Sequence, residues 1–217
     1  MVNLEQSLKL FRQAATGGKT ILVASGDFGP LASVKPKPRR GVTSFVQSAF
    51  VTAVGGTTPT ASSPENAVSY GSEVVWQDGD MASGGGRSTQ PRPKWQKGLK
   101  NNRRTVPDVS LAAAAVYPIP FDGGITCCVS GTSAAAPSWA GLIAMLDQQT
   151  GKPAGLLNPK LYELGNAQAQ GGPAVFFDIV EGSNSTMTAK GFPAKPGYDL
   201  ATGWGTPNVA GLFPALQ

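Results

Sequence analysis

The sequence predicts an α/β domain, on three observations. Leu4, Leu8, Phe11 and Ala15 recur at helical spacing, and Gly17-Gly18 then closes the segment as a helix C-terminus would. Two apolar, β-branched stretches follow, Ile21-Leu22-Val23-Ala24 and Phe50-Val51-Thr52-Ala53-Val54, and the second is expected to end at Gly55-Gly56-Thr57. Further on, a small-residue turn from Ser130 to Pro137 opens a long apolar helix. In it Trp139, Leu142, Ile143 and Leu146 fall at i, i+3, i+4 and i+7, so one face packs inward. At 217 residues the chain can bury a large core, and it is read as one domain spanning 1–217. Gly 28 and Pro 18 imply many tight loops, which suits a sheet that carries a site on its turns.

Charge narrows the function classes. Charged residues make up only 14% and the net charge is +5, with much of the basicity in Lys35 to Arg40 and in Arg87 to Arg104. Both segments are rich in Pro, Gly or Asn and lack helical periodicity, so they read as solvated loops. Nucleic-acid binding would interleave aromatics with the basic residues, and only Trp95 lies close, so no nucleic-acid partner is expected. Met1 is followed by no apolar signal-peptide core and no membrane-spanning run, so no membrane partner is expected either. The two cysteines, Cys127 and Cys128, are adjacent. A disulfide between neighbours is strained, so they read as packed thiols, or as one thiol paired outside this chain.

Ser133 sits where the predicted helix begins, beside backbone N–H groups that have no partner within the helix and at the positive end of its dipole. A serine there can attack a carbonyl whose developing oxyanion meets those N–H groups. The alternative is that Thr132 or Ser133 only caps an Ala-rich helix. Asp27 follows the first strand inside a Gly-rich turn, and a turn-forming Asx side chain is the alternative to a catalytic one.

The string Gly131-Thr132-Ser133-Ala134-x-x-Pro137 resembles the serine motif shared by subtilisin-like proteases and the sedolisins, or serine-carboxyl peptidases. Subtilisins require an imidazole as base, and the chain holds no His. Ser25-Gly26-Asp27-Phe28-Gly29 resembles the sedolisin motif that carries the oxyanion aspartate. Further matches are Val51-Thr52-Ala53-Val54-Gly55-Gly56-Thr57, without the family's preceding Pro, and Ser83-Gly84-Gly85-Gly86-Arg87-Ser88, with Arg87 for an aromatic. Arg104-Thr105-Val106-Pro107-Asp108-Val109-Ser110 completes the series, with Asp108 read as structural.

The resemblance covers nearly the whole chain and implies a subtilisin-like fold: a doubly wound, mostly parallel sheet with helices on both faces, here lacking its N-terminal strands. It implies a serine-type endopeptidase acting on polypeptide substrates, with Ser133 as nucleophile and Asp27 as oxyanion donor. To donate, Asp27 must be protonated, so the chemistry is expected in an acidic medium. The family also implies one calcium ion, held by the carboxylates of Asp178 and Asp199 and the carbonyls of Ile179, Lys195 and Gly197, an all-oxygen set suited to a hard cation. Lys195 stands where the family has Gly, although any residue can offer a carbonyl.

One part of the family pattern has no counterpart. Sedolisins use a Glu base and an orienting Asp four residues apart on a helix upstream of the oxyanion motif. None of Glu5, Glu65, Glu73, Glu163 or Glu181 has an Asp four residues later. The chain is therefore expected to be the C-terminal part of a catalytic domain, with an upstream segment or propeptide of the same precursor as a partner. The family implies an extracellular, lysosomal or vacuolar setting. The rival reading is a non-catalytic pseudopeptidase serving as a calcium-stabilised binding module.

Overall fold

A computed structural model describes residues 4–34, 37–62, 69–99, 101–114 and 117–217. The side chains of Cys127 and Cys128 lie outside the described residues, as does Lys35. In chain order the elements are α1 (Leu4–Thr16), β1 (Leu22–Ala24), β2 (Leu31–Ser33), β3 (Arg39–Arg40), β4 (Thr52–Ser62), β5 (Ser69–Val75), β6 (Gln77–Asp78), β7 (Met81–Ala82), β8 (Gly86–Pro91), β9 (Arg103–Val106) and β10 (Val109–Ala112). There follow β11 (Tyr117–Phe121), β12 (Gly124–Val129), α2 (Thr132–Thr150), α3 (Asn158–Ala169), β13 (Phe176–Phe177), β14 (Thr206–Pro207) and α4 (Val209–Leu216).

The central sheet runs β1-β4-β10, all parallel, and β5 folds back antiparallel on the far half of β4. Both faces are covered, as a parallel sheet requires. Val54 and Val109 look into the larger core with Trp139, Ile143 and Leu146 of α2, while Ala53 looks the other way, into a smaller cluster with Val42, Val46 and Val106. The first element closes over that second side, where Phe11 of α1 meets Phe45 edge to face with ring centroids 5.9 Å apart. The α/β class, the parallel sheet and the opening helix are thus as the sequence implied.

The second strand does not stop at its glycines. It runs straight through Gly55 and Gly56 to Ser62, and the reason is close approach rather than a turn. A Cβ on Gly55 would lie 2.5 Å from Ser110 Oγ and 2.8 Å from Pro107, and one on Gly56 would lie 2.6 Å from the Ala113 Cβ. Only hydrogen fits on either face there.

The basic segments also need correction: expected as loops, they hold the paired strands β3, β8 and β9. Arg39, Arg40, Arg87 and Arg103 are exposed, but Arg104 is fully buried, because its guanidinium pairs with Asp108 at 2.7 Å inside the fold. Asp108 is structural, as read: it also accepts from the Ala53 N–H at 2.7 Å and the Tyr162 hydroxyl at 2.9 Å.

Candidate active site

Parallel strands deliver their turns to one end of a sheet, and β1 delivers Asp27 there. Ser25 still pairs with β4 through its N–H to the Val54 carbonyl at 2.8 Å, and Gly26 then turns with φ of 111°, a value that favours glycine. The next strand end, at Ala113, receives the Gly131 N–H at 2.7 Å and so fixes the start of α2 beside that turn. Gly131 has φ of 104° and is packed against the Asp27 carboxyl: a Cβ on it would lie 3.0 Å from Asp27 Oδ2.

Thr132 ties the two segments together. Its N–H and its hydroxyl both donate to Asp27 Oδ1, at 2.8 and 2.7 Å, while the same hydroxyl accepts from the Gly26 N–H at 3.1 Å. Neither Thr132 nor Ser133 caps the helix with its own side chain. The acceptor is a carboxylate from 105 positions away, so Asp27 does at the helix start what a local cap does elsewhere. This tether is the feature that sequence reasoning missed. Its signal was the threonine beside the serine, weighed only as a cap.

Ser133 is the second residue of α2 and is exposed. Among the described residues neither its hydroxyl nor its N–H has a hydrogen-bond partner, and no carboxylate reaches its Oγ. Pro137 stands one turn on, and lacking an N–H it cannot bond the Ser133 carbonyl as a helical residue would. The structure therefore brings together Asp27 and Ser133, with one Asp27 oxygen saturated by Thr132 and the other unengaged among the described residues. Asp27 Oδ2 and the Ser133 N–H are thus polar groups at this helix start left without a hydrogen-bond partner among the described residues.

A second loop braces this turn. Gly84 donates to the Gly26 carbonyl at 2.7 Å and Ala82 to the Asp27 carbonyl at 3.0 Å. A Cβ on Gly84 would lie 2.4 Å from the Ser25 carbonyl oxygen, so the Gly-rich run is a matter of fit. Ser83 is buried and bonds Ala201 at 2.6 Å, while Arg87 at the end of the run is exposed.

The other predicted cluster gathers in the loop before β14. Asp199 is buried; its Oδ1 accepts from the Ala201 and Thr202 N–H groups at 2.8 Å each, and its Oδ2 from the Lys195 N–H at 3.0 Å. Asp178 Oδ2 accepts from the Gly197 N–H at 2.7 Å, so both carboxylates turn to the same short turn, 195–197. Burial pushes the Asp199 carboxyl up to about 6 despite those N–H groups, and burial also raises that of Asp178 against the Gly197 N–H. Among the described residues the Ile179, Lys195 and Gly197 carbonyls accept no hydrogen bond. Carboxylates and backbone carbonyls are the oxygen types that a hard cation takes, and these five groups are the candidates here. Among the described residues no three His, Cys, Asp or Glu side chains group as a metal centre, so such a site would rest on these backbone oxygens.

No protein-family model matches the chain. It is 38% identical over 223 residues to kumamolisin from Bacillus sp. (strain MN-32), an alignment covering 96% of this chain and 38% of that protein. It is 34% identical over 240 residues to tripeptidyl-peptidase 1 of Mus musculus, covering 95% of this chain and 38% of that one. Among solved structures it resembles Pseudomonas sedolisin, a serine-carboxyl proteinase complexed with two molecules of pseudo-iodotyrostatin. The TM-score is 0.84 at 30% identity, covering 95% of this chain and 58% of that chain. The chain thus spans well under half the length of the curated relatives it matches.

Proposed function

We propose that this chain, which belongs to the sedolisin family over the length it spans, carries the nucleophile and oxyanion half of a serine peptidase site that cleaves within polypeptides. The observation that carries the reading is the Thr132 tether, which places Asp27 against the helix start while leaving Ser133 exposed and its N–H unpaired. Ser133 Oγ attacks the substrate carbonyl, and its proton passes to a base. The tetrahedral oxyanion is met by the Ser133 N–H and by protonated Asp27 through Oδ2. Loss of one such donor costs on the order of 10²–10³ in turnover.

The base is a Glu oriented by an Asp, supplied from outside these 217 residues, because no Glu here has an Asp at the family's spacing and no His is present. A positioned base contributes on the order of 10²–10⁴ in rate. An acidic extracellular, lysosomal or vacuolar medium belongs to the same proposal. So does one calcium ion at Asp178, Ile179, Lys195, Gly197 and Asp199. These residues would hold the ion, which would supply the positive charge the 195–199 loop lacks, with Asp178 and Asp199 as the neutralising carboxylates.

The test is to assay the chain on an unfolded protein from pH 3 to 7, alone and fused behind the preceding part of the kumamolisin catalytic domain. Turnover is expected in the fusion at acidic pH and not in the chain alone. Ser133→Ala should abolish it, and Asp27→Asn should lower kcat more than KM. Activity surviving Ser133→Ala overturns the serine assignment, and products consisting only of tripeptides overturn cleavage within chains. A fusion that folds, binds substrate and never turns it over leaves the non-catalytic binding module as the answer.

A further inference from the structure

Three arginines, Arg39, Arg40 and Arg87, line one cavity near the Asp27 turn. The β2–β3 hairpin, which begins four residues after Asp27, ends in Arg39 and Arg40 and is held to the turn by the Gly41 N–H to the Pro30 carbonyl at 3.0 Å. Arg87 comes from the loop that bonds Gly26 and Asp27 on the other side. Phe192 collects two of them, with the Arg40 and Arg87 guanidinium carbons 5.9 and 6.0 Å from its ring centroid. Arg40 is further fixed by a bond to the Lys190 carbonyl at 2.9 Å. All three arginines line one cavity of about 300 Å³, floored by Val42, Gln47 and Ser88.

No carboxylate is among the residues lining that cavity. The floor is also rigid, since the buried Gln47 accepts both the Thr89 N–H and hydroxyl through Oε1, at 3.1 and 2.7 Å. Held against one ring, the Arg40 and Arg87 guanidinium groups are positioned donors for an anion. Guanidinium groups bind carboxylates through charge-assisted, two-pronged hydrogen bonds that amides do not match.

We infer that this cavity is a carboxylate-binding subsite that selects acidic side chains of a peptide lying across the Asp27 turn. The inference rests on the peptidase reading for the ligand being a peptide. Its anion preference rests on the arginines alone.

The experiment titrates the 217-residue chain, ¹⁵N-labelled at arginine, at pH 6, where a free Glu is ionised. The probes are acetyl-Ala-Glu-Ala-amide, acetyl-Ala-Gln-Ala-amide and inorganic phosphate, and the readout is the Nε–H resonances of Arg40 and Arg87. The Glu peptide should bind about tenfold tighter than the Gln peptide, as one good ion pair predicts. Arg40→Gln with Arg87→Gln should erase that difference while a control, Lys160→Gln, keeps it, and melting curves check that each variant is folded. Equal binding of the two peptides overturns the inference. Phosphate binding with no response to the Glu peptide also overturns it, in favour of a free-anion site. Binding is read without turnover, so an inactive serine leaves this result standing, and a failed titration leaves the serine chemistry untouched.

Discussion

Replacing Arg104 by Met should be among the most damaging single changes in the domain. Arg104 and Asp108 are both fully buried and form a two-pronged pair, NH1 to Oδ1 at 2.9 Å and NH2 to Oδ2 at 2.7 Å. Arg104 also donates to the Val46 carbonyl at 3.0 Å and the Val51 carbonyl at 3.2 Å, and it lies 5.1 Å from the Trp95 ring. Burial opposes its charge, yet Asp108 more than compensates and raises its pKa above the ordinary value. With Met, Asp108 keeps only the neutral Ala53 N–H and Tyr162 hydroxyl, and the Val46 carbonyl loses its donor, while that of Val51 keeps Asn158. Breaking a buried pair from one side costs about 3–5 kcal/mol. In a domain of this size each kcal/mol lowers Tm by about 2–4 °C, so a fall of roughly 6–20 °C follows. The assay is thermal and urea unfolding of Arg104→Met, Asp108→Leu and the double variant. The double variant should be more stable than Arg104→Met, since it removes the stranded charge. A Tm drop under about 2 °C for Arg104→Met, or strict additivity of the two changes, would refute the reasoning.

Three further outcomes are expected. Thr132→Val removes the hydroxyl between Gly26 and Asp27 and should cost about 1–3 kcal/mol in urea unfolding; an unchanged midpoint would show that the tether holds nothing. Glu73 has its carboxyl raised by burial, against the bond from the Thr206 hydroxyl at 3.1 Å, and its Oε2 is buried without a partner. A folded-state pKa above the unfolded one gives stability that is full below the unfolded value and lost as pH rises through the folded one. Glu73→Gln should therefore melt higher than the parent at pH 7, by an amount that vanishes near pH 4; a constant difference across that window would count against it. Excess chelator should lower the melting temperature of the parent chain and leave Asp199→Asn unmoved, because a ligand at a hundred times its Kd adds about 2.7 kcal/mol to the folded state.

Local pattern made some of this legible. The periodicity of Trp139, Ile143 and Leu146 was sufficient for α2, since those three are buried and the intervening positions mostly are not. Asp27 and Ser133 were legible because each sits in a small-residue turn at an element boundary, where glycine marks the geometry. Gly55 and Gly56 misled for the same reason: a glycine that ends a strand and one that admits a neighbouring strand look alike until Ser110 and Ala113 are placed against them. Arg104 was unreadable as buried, because its burial depends on carbonyls of Val46 and Val51, more than fifty positions away. The arginine cavity was hidden likewise, since Arg40 and Arg87 come to Phe192 from segments far apart in the chain.

The Arg104–Asp108 hub also sets an order of events for a chain made from its N-terminus. By the time residue 108 is available, the carbonyls of Val46 and Val51 and the Ala53 N–H can all be in place. The cage stays open, however, until Tyr162 of α3 brings its hydroxyl to Asp108 and Trp204 its N–H to the Asp108 carbonyl at 3.0 Å. Contacts of such long sequence separation are slow to close. From the making of residue 108 until Tyr162 and Trp204 arrive, the domain therefore carries a wet, half-walled ion pair at its centre, and its drying waits on those two residues.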